Sequence, residues 1–344
     1  MATKILIDGR SITRKTSGIG RYTDELIKGY LKHYGYDNIT VILNEDISNF
    51  PYRYICCSYN RHSFIGAMKF AYFLKKQDYD IYHSGDMTGP LWHKEGITHI
   101  LTAHDLMFLT VPNFFGKQNW KTKLRVLKNK LLFYLFLKDA DKIISISQTT
   151  RNDVLKHYKI DSFVLREGIN DIKQKSSLTE FLGLKPNSFF LYVGLGSPHK
   201  NIKFLTDAFL NSNTDKKLVI CGRKHKKVES DKIIYTGWIE DNQLDFLYAN
   251  CAAFIFPSLY EGFGLPILEA LSYNCKVFSS NAGSLSEFSN EVVSFFDPCK
   301  QEELILLIEN VDSMTVDTQK IKSYLSHFIW SDIWDEFHTK TRNG

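Results

Sequence analysis

Short apolar runs bounded by turn residues alternate with longer amphipathic stretches along the whole chain, and the pattern restarts once near its middle. Strands of that kind, separated by helical stretches, build βαβ units around parallel sheets buried on both faces. The first half reads as strands at 4–7, 39–43, 81–83, 98–103 and 142–146, with helices near 20–34, 64–76, 118–137 and 149–157. The second half gives strands at 189–194, 218–221, 233–236, 253–256 and 276–279, with helices near 201–210, 241–249, 266–273 and 301–309. A polar stretch without periodicity, GINDIKQKSS at 168–177, reads as the linker. A length of 344 residues fits two such α/β domains, 1–170 and 171–327. Open parallel sheets bind ligands beyond the carboxyl ends of their strands, so function is expected in the loops that follow them.

Composition narrows the classes. Apolar residues make up 44% and charged residues 24%, which fits a globular chain and excludes collagen-like, coiled-coil and disordered ones. No run of 18 apolar residues occurs, and MATKILIDGR carries a charge early with no signal-peptide core, so neither export nor membrane spanning is expected. The six cysteines form no CxxC pair and read as buried thiols of a reducing cytoplasm, with a metal site as the alternative.

The net charge of +5 is unevenly spread: residues 1–170 carry 25 Lys and Arg against 16 Asp and Glu, which leaves the rest of the chain acidic. From Leu106 to Lys138 there is no acidic residue and there are seven bases, Lys117, Lys121, Lys123, Arg125, Lys128, Lys130 and Lys138. Interleaved with Phe, Trp, Tyr and Leu, that segment (114–138) suits an anionic surface, or else is a solvated helix whose apolar face joins the core. No recognition motif accompanies the bases, so nucleic acid is not an expected partner.

The loops carry the chemistry. Gly18-Ile-Gly20 and Gly194-Leu-Gly196 are near misses of the dinucleotide fingerprint, with Thr23 and His199 where the third glycine belongs. Either loop cradles phosphate through backbone amides or is simply a tight turn. After the strand 253–256 comes PSLYEGFGLPILEA, in which Gly262 and Gly264 flank Phe263 and Pro266 suits the start of a helix. Free amides and the positive end of a helix dipole favour a diphosphate there. Glu261 and Glu269, eight positions apart, suit sugar and ribose hydroxyls, because an ionised carboxylate accepts two hydrogen bonds from a diol. The alternative is that Glu269 complements the dipole and Glu261 is solvated.

The EGFGLPILEA stretch strongly resembles the signature of family 4 retaining glycosyltransferases of the GT-B fold, in which two Rossmann-like domains face each other across a cleft. DGRSITRKTSGIGRYTDEL, TAHDL, FLYVGLGSPHKN and SNAGSLSEFSNEVVSFFDP resemble other segments of that family, and FIWSDIWDEF looks like the helix (328–344) that returns to the first domain. The resemblance implies that Glu269 holds the ribose. Glu261, with the loop Gly262, Phe263, Gly264 and Leu265, would hold the donor sugar. Lys200 would neutralise the leaving diphosphate, and His104 would face the sugar or acceptor. Gly18, Gly20, His199 and Trp238 fall on the donor side.

Many family members carry an arginine in the phosphate loop where this chain has Leu195 and His199, so Arg223 or Lys224 is expected to supply the missing cation. Asp78-Tyr-Asp80 and Asp139-Ala-Asp141 match the DxD of metal-dependent transferases, but each precedes a strand and so lies at the wrong end of the sheet. No metal or other cofactor is expected. The implied function is transfer from a nucleotide-diphosphate sugar, with a lean to GDP-mannose, onto a lipid-linked saccharide in surface-polysaccharide synthesis. The implied location is cytoplasmic, peripheral on the inner face of the plasma membrane. The alternatives are a nucleotide-sugar epimerase of the same fold and a non-catalytic saccharide-binding partner.

Overall fold

The computed structural model describes residues 2–13, 18–112, 114–117, 119–170 and 178–342. Most of the linker (171–177) and residues 14–17 of the first glycine loop therefore lie outside the described residues. The chain divides into two compact units, Met1–Glu167 with Trp330–Gly344, and Gly168–Ile329.

The first unit holds a parallel sheet of β1 (Ile5–Asp8), β2 (Ile39–Leu43), β3 (Tyr54–Cys56), β4 (Ile81–Ser84), β5 (Thr98–Ala103), β6 (Lys142–Ser145) and β7 (Phe163–Val164), in the order 3-2-1-4-5-6-7. Its helices are α1 (Gly18–Tyr34), α2 (Phe64–Lys75), α3 (Met107–Thr110), α4 (Trp120–Asp139) and α5 (Gln148–Tyr158). The second unit repeats the plan with β8 (Phe189–Val193), β9 (Lys217–Cys221), β10 (Ile233–Gly237), β11 (Ala253–Phe256), β12 (Val277–Ser280) and β13 (Ser294–Phe296), in the order 10-9-8-11-12-13. Around it lie α6 (Ile202–Asn211), α7 (Asp241–Asn250), α8 (Leu265–Ser272), α9 (Gln301–Glu309) and α10 (Thr318–Leu325). In both sheets the strand order reverses once, between β1 and β4 and between β8 and β11. A crevice for ligands opens at such a point.

The apolar runs became central strands because both faces are covered: every residue of β11 is buried, as is most of β8. Helix starts follow local chemistry. Ser63 accepts from the Gly66 amide at α2, Asn119 and Thr122 cap each other's backbone at α4, and Ser147 accepts from the Thr150 amide at α5.

The last helix, α11 (Trp330–Arg342), belongs to the first unit and packs on α1. Trp330 and Trp334 stack with ring centroids 5.3 Å apart, and both are buried. A Cβ on Gly29 would stand 2.5 Å from the Trp334 ring, so the docking of α11 requires glycine at that position of α1.

Two expectations need correction. Cys56 and Cys299 are exposed thiols rather than buried ones, because Cys56 ends the edge strand β3 and Cys299 sits in the turn before α9. Pro266 occupies the second position of α8, which begins at Leu265.

Candidate active site

In the second unit the loops after β8 and β11, which flank the switch point, are joined by a charge pair. Lys200 Nζ donates to Glu261 Oε1 at 2.6 Å, and the two side chains are 17% and 11% exposed. The Lys200 ammonium also lies 5.1 Å from the centre of the Phe256 ring. A backbone bond from the Leu259 amide to the His199 carbonyl (2.7 Å) sets the two loops at this spacing. Burial and the Lys200 charge hold the His199 imidazole below its ordinary pKa, against the opposing pull of Glu261.

The Glu261–Gly264 loop is fixed from behind. The Ser284 hydroxyl lies 2.8 Å from the Glu261 carbonyl and 2.9 Å from that of Phe263. The Phe263 ring is buried against Phe288 and Phe328, at 5.7 and 6.1 Å. Gly264, at φ +130°, caps α8 in a conformation that side chains rarely adopt. Glu269, half-buried on α8, accepts from the buried Tyr248 hydroxyl at 3.1 Å. Neither Ser284 nor Tyr248 stands out in the sequence, since both lie outside the signature and act through folding.

Gly196 after β8 and Gly222 after β9 have a packing task. A Cβ on Gly196 would fall 2.1 Å from the Lys224 carbonyl oxygen, and one on Gly222 would fall 1.8 Å from that of Gly194. The 194–196 turn is therefore packed backbone to backbone on the loop after β9, which brings Arg223 and Lys224 beside it as exposed side chains. Leu195 is exposed there, and Trp238, just beyond β10, is 62% exposed.

In the first unit, His104 follows β5 and is buried. Its Nε2 lies 2.9 Å from the Gly85 carbonyl and its Nδ1 3.5 Å from Glu167 Oε1. Burial alone would lower its pKa, but the bond and charge of Glu167, aided by the Gly85 carbonyl, raise it above the ordinary value. With both nitrogens so engaged, the ring is set to hold the loops after β4 and β5 together, and a proton-abstracting role would first require release from Glu167.

Sequence reasoning did not single out the polar group at the end of β1. Asp8 and Arg10, buried at the end of β1, pair through two contacts of 2.8 and 2.6 Å, and Tyr82 donates to the same carboxylate at 3.0 Å. Burial opposes ionisation of Asp8, yet Arg10 keeps its carboxyl below the usual range. Arg61 pairs with Asp86 just after β4. Gly18 and Gly20 form the first turn of α1.

A cavity of about 280 Å³ opens beside the ends of β4 and β5, with Met87, Thr88, Asp105, Phe108, Arg125 and Lys128 in its wall. Helix α4 lines it with one face and presents a second apolar face outward. Leu132, Phe133, Phe136 and Leu137 join the core, whereas Trp120, Leu124, Leu127, Leu131 and Tyr134 are exposed at helical spacing. A solvated helix with a single buried face does not account for that stripe. No described helix is long and apolar enough to cross a membrane.

The family model for glycosyltransferase family 4 matches residues 16–171, and that for glycosyl transferases group 1 matches residues 176–324. The chain is similar to the O-antigen chain mannosyltransferase RfbU of Salmonella typhimurium, with 23% identity over 66% of this chain and 65% of that protein. It is also similar to the O-antigen chain mannosyltransferase B of Escherichia coli, at 28% over 64% of this chain and 62% of that one. The matches thus span less than two thirds of the length of these relatives. Among solved structures, that of Anabaena Alr3699/HepE in complex with UDP-glucose covers 99% of this chain and 100% of its own, at a TM-score of 0.73 and 17% identity.

Proposed function

Because the chain belongs to glycosyltransferase family 4 and has the GT-B fold, we propose that it transfers a hexose, mannose from GDP-mannose in the leading reading, onto a lipid-linked saccharide with retention of configuration. The observation that carries this is the Lys200–Glu261 pair at the β8/β11 switch point, where a cation and a carboxylate share one small site.

A diphosphate entering there draws on the Lys200 charge, and the freed Glu261 carboxylate accepts bonds from sugar hydroxyls. In the reaction the bond from the anomeric carbon to the diphosphate oxygen breaks, and negative charge builds on the departing group. A fixed cation aimed at that charge lowers the barrier without a metal. The acceptor hydroxyl adds to the anomeric carbon on the face that the diphosphate leaves, and its proton passes to the departing phosphate. Glu269, steadied by Tyr248, receives the ribose hydroxyls, while Arg223, Lys224, His199 and Trp238 flank the remaining donor atoms. O-antigen mannosyltransferases among the relatives support the mannosyl reading and a role in surface-polysaccharide synthesis.

The cavity beside His104 suits the acceptor, with Arg125 and Lys128 for a phosphate and Phe108 for an apolar chain. The exposed apolar stripe of α4 between exposed bases favours an anionic membrane from which such an acceptor is drawn, so the protein works at the inner face of the plasma membrane as a peripheral component. Incubation with UDP-, GDP-, ADP- and dTDP-linked sugars, with and without a polyprenyl-diphosphate saccharide, tests the proposal. An elongated acceptor in the presence of one donor is expected. An isomerised donor without acceptor would instead identify an epimerase, and binding of saccharide without turnover would identify a non-catalytic partner.

A further inference from the structure

The Asp139-Ala-Asp141 motif, set aside for catalysis because it lies at the wrong end of the sheet, is met in the fold by two histidines. Asp139 ends α4 and His99 is the second residue of β5. His93 comes from the loop that leads into that strand. One ligand atom from each of His93, His99 and Asp139 lies within 4.8 Å of the others. His99 Nδ1 is 2.9 Å from Asp139 Oδ2, and His93 Nδ1 is 3.1 Å from Asp139 Oδ1.

These contacts are not all hydrogen bonds. His93 Nδ1 is buried and has no hydrogen-bond partner among the described residues, although a carboxylate oxygen stands beside it. An imidazole nitrogen left in that state loses the full value of a bond to water. A cation between nitrogen and carboxylate restores it. Tetrahedral zinc with bonds of about 2.0–2.2 Å sets its ligands about 3.3–3.6 Å apart, within the 4.8 Å span of the three ligand atoms; the 2.9 and 3.1 Å contacts run to different oxygens of Asp139, so binding requires small shifts of the side chains.

The surroundings already hold the ligands in place. The His93 amide donates to Asp139 Oδ1 at 3.0 Å, and the His99 amide donates to Asp141 Oδ2 at 2.7 Å. Asp141 Oδ2 also lies 3.7 Å from His93 Nε2, on the ring edge away from the cluster. Ligating histidines characteristically turn their second nitrogen toward a carboxylate; at 3.7 Å Asp141 acts on His93 as a nearby charge rather than a hydrogen-bond acceptor.

We propose that His93, His99 and Asp139 bind one zinc ion, with water in the fourth position and Asp141 orienting His93. The site lies at the amino ends of β5 and β6, opposite the edge that carries His104. Its ion is structural: it fastens the loop before β5 to the end of α4 and takes no part in sugar transfer. The proposal is independent of the donor, the acceptor and the transferase reading.

Tag-free full-length protein, stripped with a chelator, is offered two equivalents of Zn²⁺, gel-filtered and assayed for metal by mass spectrometry. Wild type is expected to keep one zinc per chain, and His93→Gln and Asp139→Asn at least tenfold less. His93 is on a partly exposed loop, so H93Q should keep the metal-free wild-type circular dichroism and unfolding midpoint. Co²⁺ in place of zinc should give tetrahedral ligand-field bands without thiolate charge transfer. Zinc retained equally by wild type and both variants, thiolate charge transfer, or no zinc on wild type would overturn the site and leave a bare imidazole–carboxylate clasp.

Discussion

Lys200→Met separates the structural from the chemical use of the Lys200–Glu261 pair. The substitution keeps most of the side chain and removes the charge, so that Glu261 stays in a site only 11% open to solvent with its 2.6 Å partner gone. Removing one member of a fully buried pair costs about 3–5 kcal/mol. Both side chains here reach some water, so screening lowers the figure to about 2–3 kcal/mol. For a unit of this size that is a fall of roughly 4–12 °C in unfolding midpoint. Lys200→Met/Glu261→Gln leaves no uncompensated charge and should recover most of that loss. Turnover should not recover, because in the proposed reaction the cation acts where charge develops on the leaving diphosphate. Loss of one such group costs about 10²–10³ in kcat. Scanning calorimetry of wild type, Lys200→Met, Glu261→Gln and the double variant, with nucleotide release measured on the same preparations, completes the cycle. If Lys200→Met melts with wild type, or the double variant is no more stable than Lys200→Met, the pair is not the buried element described here. If Lys200→Met turns over normally, its catalytic role is wrong.

Gly29→Ala should destabilise the first unit by about 1–3 kcal/mol in urea unfolding, since the added carbon meets Trp334, although the same change in an open helix stabilises by up to about 1 kcal/mol. His83 is fully buried between the hydroxyls of Tyr30 and Thr102, and burial, with smaller contributions from His99, His338 and His104, pushes its pKa down to about 3. The unfolded chain therefore takes a proton below about pH 6.5 that the folded chain refuses. Stability is full above that pH and falls by about 1.4 kcal/mol per unit toward pH 3. Chemical unfolding at pH 6.5 and 4.5 should differ by about 2.3 kcal/mol more in wild type than in His83→Gln, because the unfolded histidine is already half protonated at the upper pH, and equal slopes would refute the assignment. Replacing Trp120, Leu124 and Leu127 with serine should reduce sedimentation with anionic vesicles at least tenfold without changing the unfolding midpoint, because these side chains are exposed.

What was legible in the sequence follows from how each element is buried. The nine strands flanked on both sides read as apolar runs and were placed within a residue or two, as was the five-residue edge strand β10. The three missed strands, β3, β7 and β13, are all short and at sheet edges, where one side lacks a neighbour and no apolar run is needed. Glu261, Lys200 and Glu269 could be named from motif and resemblance, but the contact between Lys200 and Glu261 spans 61 positions and exists only in the fold. The same is true of Ser284 beneath the Glu261 loop and of Glu167 against His104. In α4 the outward stripe was hidden because core and exposed leucines follow the same helical spacing, one face apart. The glycines of the β8 loop look like a phosphate fingerprint, yet what demands Gly196 most closely is the backbone of Lys224, and what crowds Gly194 is the Tyr192 hydroxyl.

The central claim is that the β8/β11 edge of the second unit binds a nucleotide diphosphate through Lys200 and Glu269. Its most direct test is the unfolding midpoint of wild type, Lys200→Met and Glu269→Ala with UDP, GDP, ADP and dTDP at millimolar concentration. A ligand that binds only the folded chain at 100 times its dissociation constant adds about 2.7 kcal/mol. The account predicts that one nucleotide, GDP in the leading reading, raises the wild-type midpoint by several degrees, and that both variants lose most of the shift. No response to any of the four in wild type, or an undiminished shift in both variants, would contradict it.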